Sequence, residues 1–168
     1  MQLKSELRKE LLQRRRAVVG KSEKDTAIFT KLIALPEFEK AELVLTYVST
    51  GHEVDTRQLI GYCFEKGIAA AVPGIVDEQM RFFELRSDFT LGEAVLQFGT
   101  GSRQLCVVPA LAYNAGGFRI GYGGGYYDRF LKDYTGLKVG ICYGEFVCDL
   151  PVEEHDVGVD VLLTDTNR

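Results

Sequence analysis

The chain has 168 residues, 46% of them hydrophobic and 26% charged, with a formal net charge of −4 at pH 7. Those values fit a globular protein long enough to bury a core and exclude a disordered chain. The acidic balance speaks against a broad basic face for nucleic acid.

No apolar run approaches the roughly 18 residues of a membrane span. The N-terminus "MQLKSELRKELLQRRR" is charged where a signal peptide needs an apolar centre. The expected setting is the cytoplasm, with neither membrane nor nucleic acid as partner. Cys63, Cys106, Cys142 and Cys148 form no C-x-x-C pair and read as reduced, buried small hydrophobes.

Leu3, Leu7 and Leu11 recur every four residues beside Leu12, which predicts an amphipathic first helix. Lys4, Arg8 and Arg15 fall on an adjacent stripe of that helix. Eight cations between Lys4 and Lys24 face only Glu6, Glu10 and Glu23. Taken alone, such a run is a solvated helix face. Ser22 followed by Asp25 resembles a helix start, and Ile28, Phe29, Leu32 and Ile33 carry a second helix until Pro36 stops or redirects it.

"LVLTYVS" is a β-branched and aromatic run of strand length, and "DTRQLIGYCFEKG" a helix capped at Asp55 or Thr56 and stopped at Gly67. "IAAAVPGI" and "MRFFEL" read as strands, and the unpatterned Ser87 to Arg103 segment as the longest loop. "QLCVVPALAY" is a further strand, leading through "NAGG" to a glycine cluster. "YYDRFLKDY" is then helical, and "KVGICYG" and "VDVLLTD" are short buried strands. Strands interleaved with helices predict an α/β protein: one domain over residues 1–168, a Rossmann-like three-layer sheet with helices on both faces, and an N-terminal helical pair.

Four of the five positions from Gly121 to Gly125 are glycine, a density suited to positive φ or to close approach of a ligand to the main chain. Strand, glycine-rich turn and helix in that order present unpaired N–H groups and the positive end of a helix dipole, a good phosphate site. No Gly-Lys-Ser/Thr follows, and Tyr126 stands where the dinucleotide fingerprint needs its third glycine. Arg119 precedes the turn, and Asp128 is either a Mg²⁺ ligand or a helix-dipole partner. Tyr122, Tyr126 and Tyr127 either stack on a flat ring or pack the core.

"VVPALAYNAGGFRIGYGGGYYDRFL" resembles the signature of the 5-formyltetrahydrofolate cyclo-ligase family, also called 5,10-methenyltetrahydrofolate synthetases. "KSELR", "VSTGHEVDT" and "LPVEEHDVGVDVLLTD" resemble further family segments in the family's order. The resemblance implies an enzyme, a monomer or homodimer, in which ATP phosphorylates the formyl oxygen of 5-formyltetrahydrofolate. The second folate nitrogen then closes the methenyl bridge and releases phosphate. By the same resemblance, Lys4, Ser5, Glu6, Leu7 and Arg8 contact ATP together with Arg119, Ile120, Gly121, Tyr122, Gly123, Gly124, Gly125, Tyr126 and Tyr127. Val48, Glu53 and the Tyr122 to Tyr126 stretch contact the folate, Asp128 and Asp156 hold Mg²⁺, and Arg119 and Tyr126 are the catalytic pair. His52 and His155 read as loop histidines.

The chain departs from the family pattern in three places. Asn114 replaces an acidic residue, Gly74 replaces a basic one, and "TLGEAVLQFGTGSRQL" lacks a Glu-Pro. These departures leave open a diverged member that binds nucleotide or folate without turnover. A sugar-phosphate enzyme on a similar scaffold is the remaining alternative.

Overall fold

A computed structural model describes residues 3–95 and 103–166. Helices α1 (Lys4–Arg16) and α2 (Lys21–Ile33) are followed by a single turn, α3 (Pro36–Glu39), then β1 (Leu43–Leu45), α4 (Arg57–Lys66), β2 (Ala69–Val76), β3 (Gln79–Leu85) and β4 (Leu91–Ala94). Next come β5 (Gln104–Val108), β6 (Ala112–Tyr113), β7 (Arg119–Ile120), α5 (Tyr126–Asp133), β8 (Leu137–Ile141) and β9 (Val161–Leu163).

Seven strands form one sheet in the order β4-β3-β2-β1-β5-β8-β9, with β2, β1, β5, β8 and β9 parallel. The chain moves one way from β1 through α4 to β2, and the other way from β5 through α5 to β8. Right-handed crossovers therefore put α4 and α5 on opposite faces and leave a crevice beyond the C-terminal ends of β1 and β5. On one face Val44, Ala70, Leu105 and Val139 pack with Leu11, Ile28, Phe38 and Leu59. On the other, Leu45, Ala71, Cys106 and Val108 pack with Leu131 and Tyr134 of α5. β5 is buried along its whole length, as a central parallel strand covered on both faces must be.

β2 pairs with β1 only from Ala69 to Ala71 but with β3 from Ala71 to Val76. Pro73 is tolerated because it lies past the β1 ladder, where no N–H is demanded. Asp77 and Glu78, at φ 50° and 62°, make the two-residue turn of this hairpin.

Three local expectations change. "QLCVVPALAY" is two strands, because Pro109 offers no donor to continue the ladder; β6 instead pairs with β7 in a small hairpin. Within the expected long loop, Leu91–Ala94 forms an antiparallel edge strand on β3, while residues 96–102 lie outside the described part. Ser22 and Asp25 do not start α2: the helix begins at Lys21 after Gly20 in a left-handed conformation, with no side-chain cap. At α4 the cap reading holds, since Asp55 accepts from the N–H groups of Arg57 and Gln58, both at 3.2 Å. No helix among the described residues is long and apolar enough to cross a membrane.

All four cysteines are free, and Cys63, Cys106 and Cys142 are fully buried. Burial raises each of these three thiols from 9.0 to about 12. Buried Tyr113, Tyr134 and Tyr143 are likewise raised, first by burial. A raised pKa means that the unfolded chain loses its proton first as pH climbs. The stability linked to each group is therefore complete below about pH 9 for the thiols and falls by about 1.4 kcal/mol per pH unit above it. Denaturant unfolding at stepped pH is expected to give a flat midpoint up to about pH 8.5 and a steep decline between about 9 and 12. A midpoint that holds through pH 11 would contradict this burial.

Candidate active site

A cleft of about 350 Å³ opens at the strand-order reversal. Its walls are α1 through Lys4 and Arg8, the β2–β3 arm through Gly74 and Met80, the turn from Gly121 to Gly125 with the start of α5, and the loop at His155 and Asp156.

The turn must pass from β7 into α5 within five residues, and Gly123 at φ 108° and Gly125 at φ 70° make that possible. A side chain at either position would be strained. The amides from Gly121 to Asp128 donate to no other described residue, and α5 has no side-chain cap at Gly125. Such amides and the helix dipole together attract an anion. From outside the cleft, Arg129 donates to the Gly124 carbonyl at 3.1 Å and lies over the Tyr126 ring at 4.9 Å. Because the trans peptide holds C=O and N–H opposed, drawing that carbonyl outward turns the Gly125 N–H toward the cleft.

Cations converge on the same turn. Arg8 Nε donates to the Gly121 carbonyl at 2.9 Å across 113 residues of sequence, which leaves its two terminal nitrogens for a ligand. Lys4 pairs with Glu153 at 2.7 Å, with side chains 28% and 51% exposed. A pair that open contributes about 0–1 kcal/mol, so a polyanion readily displaces it. Arg119 is buried over the Tyr127 ring at 5.3 Å, with Nη2 3.5 Å from Asp128 Oδ1. Its Nε and the Tyr127 hydroxyl are both buried without a partner among the described residues. Each such orphan costs about 1–3 kcal/mol.

A model of the 5-formyltetrahydrofolate cyclo-ligase family matches residues 1–165. The chain belongs to that family. The Mus musculus 5-formyltetrahydrofolate cyclo-ligase is 27% identical over 184 residues, covering 94% of this chain and 91% of its own. Among solved structures, the Mycoplasma pneumoniae 5,10-methenyltetrahydrofolate synthetase superposes with a TM-score of 0.81 at 26% identity, covering 98% of this chain and 100% of that one. The Aquifex aeolicus 5,10-methenyltetrahydrofolate synthetase gives a TM-score of 0.80 at 31% identity, covering 99% and 91%.

The structure gathers some of the residues expected at a family site and leaves others apart. Lys4, Arg8, Asp156 and the stretch from Arg119 to Asp128 share the cleft. Ser5 and Glu6 point to solvent, and Leu7 packs on the core. Val48 packs toward Ile60, Val72 and Leu85. Glu53 Oε1 closes a turn by accepting from the Thr50 N–H and hydroxyl, both at 2.9 Å. Glu53 bears on the cleft through its charge near Tyr122: burial first and the Glu53 carboxylate second push the Tyr122 pKa up to about 12.

Both histidines, read from the sequence as loop residues, lie in turns. His52 Nε2 lies 3.2 Å from the Tyr122 hydroxyl, and His155 lines the cleft beside Asp156 at 3.5 Å. Only their adjacency to Glu53 and Asp156 hinted at this.

Asn114, one of the departures from the family pattern, holds the hairpin that delivers the glycine turn. Its Oδ1 accepts from the Phe118 N–H at 3.0 Å, and its backbone N–H and carbonyl bond Phe118 and Gly117. A carboxylate offers the same acceptor. Asn114→Asp is therefore expected to leave chemical-denaturation stability within about 0.5 kcal/mol, while Asn114→Ala costs about 1 kcal/mol or more. Equal losses in both variants would remove this role.

Proposed function

We propose that the chain converts 5-formyltetrahydrofolate to 5,10-methenyltetrahydrofolate using ATP, with release of ADP and phosphate, in the cleft between α1 and the glycine turn. The observation that carries this reading is the row of amides from Gly121 to Asp128 without acceptors among the described residues, opposite Lys4 and Arg8. Such a row suits the terminal phosphates of a nucleotide.

Phosphoryl transfer asks for positioning and charge stabilisation more than for a protein nucleophile. Lys4 and Arg8 bind the phosphates from one side and the amides of Gly123 to Tyr126 from the other. Arg119, paired with Asp128 in the cleft wall, supplies guanidinium charge to the transferring group, where charge develops as the formyl oxygen attacks. That oxygen leaves poorly as part of an amide and well as a phosphate ester, which is why the ATP step precedes ring closure. Tyr126 is held by Arg129 at the mouth of the turn and places its ring against the reacting end of the folate. Tyr122 and Glu53 receive the amino-bearing pterin edge.

Among the described residues no group of three or more His, Cys, Asp or Glu side chains gathers to hold a metal. Asp128 and Asp156 are the two carboxylates that line the cleft among the described residues, Asp156 with His155 beside it at 3.5 Å. Two carboxylates suit Mg²⁺, a hard cation commonly bound by one or two carboxylates beside substrate phosphates, and Asp128 and Asp156 would hold it. When bound there, the ion neutralises phosphate charge. Asp128 meanwhile accepts from the Val157 N–H at 3.3 Å and holds Arg119, so it also aligns the catalytic guanidinium.

One observation favours the diverged-binder alternative. Val48 lies off the cleft and Glu53 is partly used within its own turn. Purified protein given 5-formyltetrahydrofolate, ATP and Mg²⁺ is expected to form the methenyl product, followed by its near-ultraviolet absorbance, and to need all three. ATP binding without product would put the diverged binder first; phosphosugar binding in place of folate would favour the sugar-phosphate reading. Asp128→Asn is expected to lower kcat/KM about 100-fold or more while the circular dichroism spectrum stays native.

A further inference from the structure

We infer that a buried network of Arg15, Tyr143 and Asp25 is a positioning device that clamps the Ser49–Thr56 loop between α1 and α2 and thereby sets Glu53 for the folate. The inference deepens the proposed function and rests on it.

The loop is first closed at its own base. Ser49 N–H donates to Thr56 Oγ1 at 3.1 Å, and Thr56 N–H to Ser49 Oγ at 3.0 Å. Those bonds fix the ends of the loop and leave its placement against the glycine turn to other groups. Two buried charged side chains supply that placement. Asp25 of α2, 7% exposed, accepts on Oδ1 both the Asp55 N–H at 3.1 Å and the Tyr143 hydroxyl at 2.6 Å. Its Oδ2 pairs with Lys21 at 2.7 Å.

Arg15 of α1, 3% exposed, donates to the carbonyls of Ala110 at 2.7 Å, Leu111 at 3.0 Å and His52 at 3.4 Å. Its guanidinium also lies over Phe146 at 4.6 Å and Tyr143 at 5.5 Å. The circuit therefore closes: Arg15 holds the His52 carbonyl and the Tyr143 ring, Tyr143 holds Asp25, and Asp25 holds the Asp55 amide. Glu53 sits between the two loop positions that are held.

None of these groups is needed for chemistry, and two features speak against a purely stabilising role. Arg15 is a buried cation satisfied by carbonyls and rings, with no carboxylate bonded to it among the described residues, an arrangement that brings little net stability once desolvation is counted. Its partners are the segments that frame the cleft: Ala110 and Leu111 follow Pro109 of the cleft wall, and His52 meets Tyr122 of the glycine turn. Arg15 also shares a helix stripe with Lys4 and Arg8, seven residues or two turns beyond Arg8. The same face of α1 thus carries the phosphate cations at one end and the anchor of the folate loop at the other.

The test separates geometry from general stability. Tyr143→Phe deletes one hydroxyl and keeps the ring under Arg15. Asp25→Ala removes both acceptors, whereas Asp25→Asn keeps an oxygen for Tyr143 and Asp55. Tyr143→Phe and Asp25→Ala are expected to raise KM for 5-formyltetrahydrofolate about five- to tenfold, with kcat and KM for ATP within about twofold; Asp25→Asn stays near wild type.

Hydrogen exchange of residues 50–56 in the ligand-free protein is read in parallel and needs no activity. It is expected to quicken in Tyr143→Phe and Asp25→Ala and not in Asp25→Asn. Unchanged protection of that loop, or an unchanged folate KM in the folded variants, overturns the clamp, as does a rise in both KM values together. Wild-type protein without turnover would instead overturn the functional reading, and the exchange measurement would still decide the clamp.

Discussion

A turn of five residues has to leave a two-residue strand, enter a helix and keep its amides pointing away from the protein. Gly123 and Gly125 meet that constraint with positive φ, and the surrounding structure is arranged to hold the result. Arg129 draws out the Gly124 carbonyl, Arg8 draws on the Gly121 carbonyl, and Asn114 fixes the hairpin that feeds the turn. Isolated, a turn this rich in glycine would sample many conformations. Arg8 from the first helix, with Arg129 and Asn114 from the flanking segments, restricts it.

The sheet determines where that turn sits. Because strand order reverses between β1 and β5, α4 and α5 lie on opposite faces and the connecting loops part at the carboxyl ends of the strands. The glycine turn fills one side of the crevice, the β2–β3 arm another, and α1 crosses the mouth with its cationic stripe. Burial of apolar side chains on both faces supplies the stability. The buried charges Arg15, Asp25 and Arg119 are spent on placement, since buried ionic groups bring little net stability.

Much of this architecture is legible in the sequence. The "YYDRFLKDY" periodicity and the β-branched runs mark helix and strands because local pattern and burial agree there. The glycine cluster announces an anion site through backbone physics alone. Boundaries are less legible: whether Pro109 divides a strand depends on what pairs with it, and Leu91–Ala94 becomes a strand only because the β3 edge is available. Asp25 looks like a helix-start residue locally and is instead a buried partner of Asp55 and Tyr143. Nothing local could join Arg8 to Gly121. Only the resemblance to a family promoted the first-helix cations from a solvated face to a ligand site, and it carried Val48 and Glu53 with equal weight although the structure sets Val48 away from the cleft.

The central claim is that the amides between Gly121 and Asp128 grip the phosphates of ATP. Amide-resolved NMR of the labelled protein, titrated with ATP and Mg²⁺, addresses it most directly. The largest saturable shifts are expected on the amides of Gly121 to Asp128, with Lys4 and Arg8 following. Saturable binding that leaves those amides unmoved and perturbs another region would contradict it.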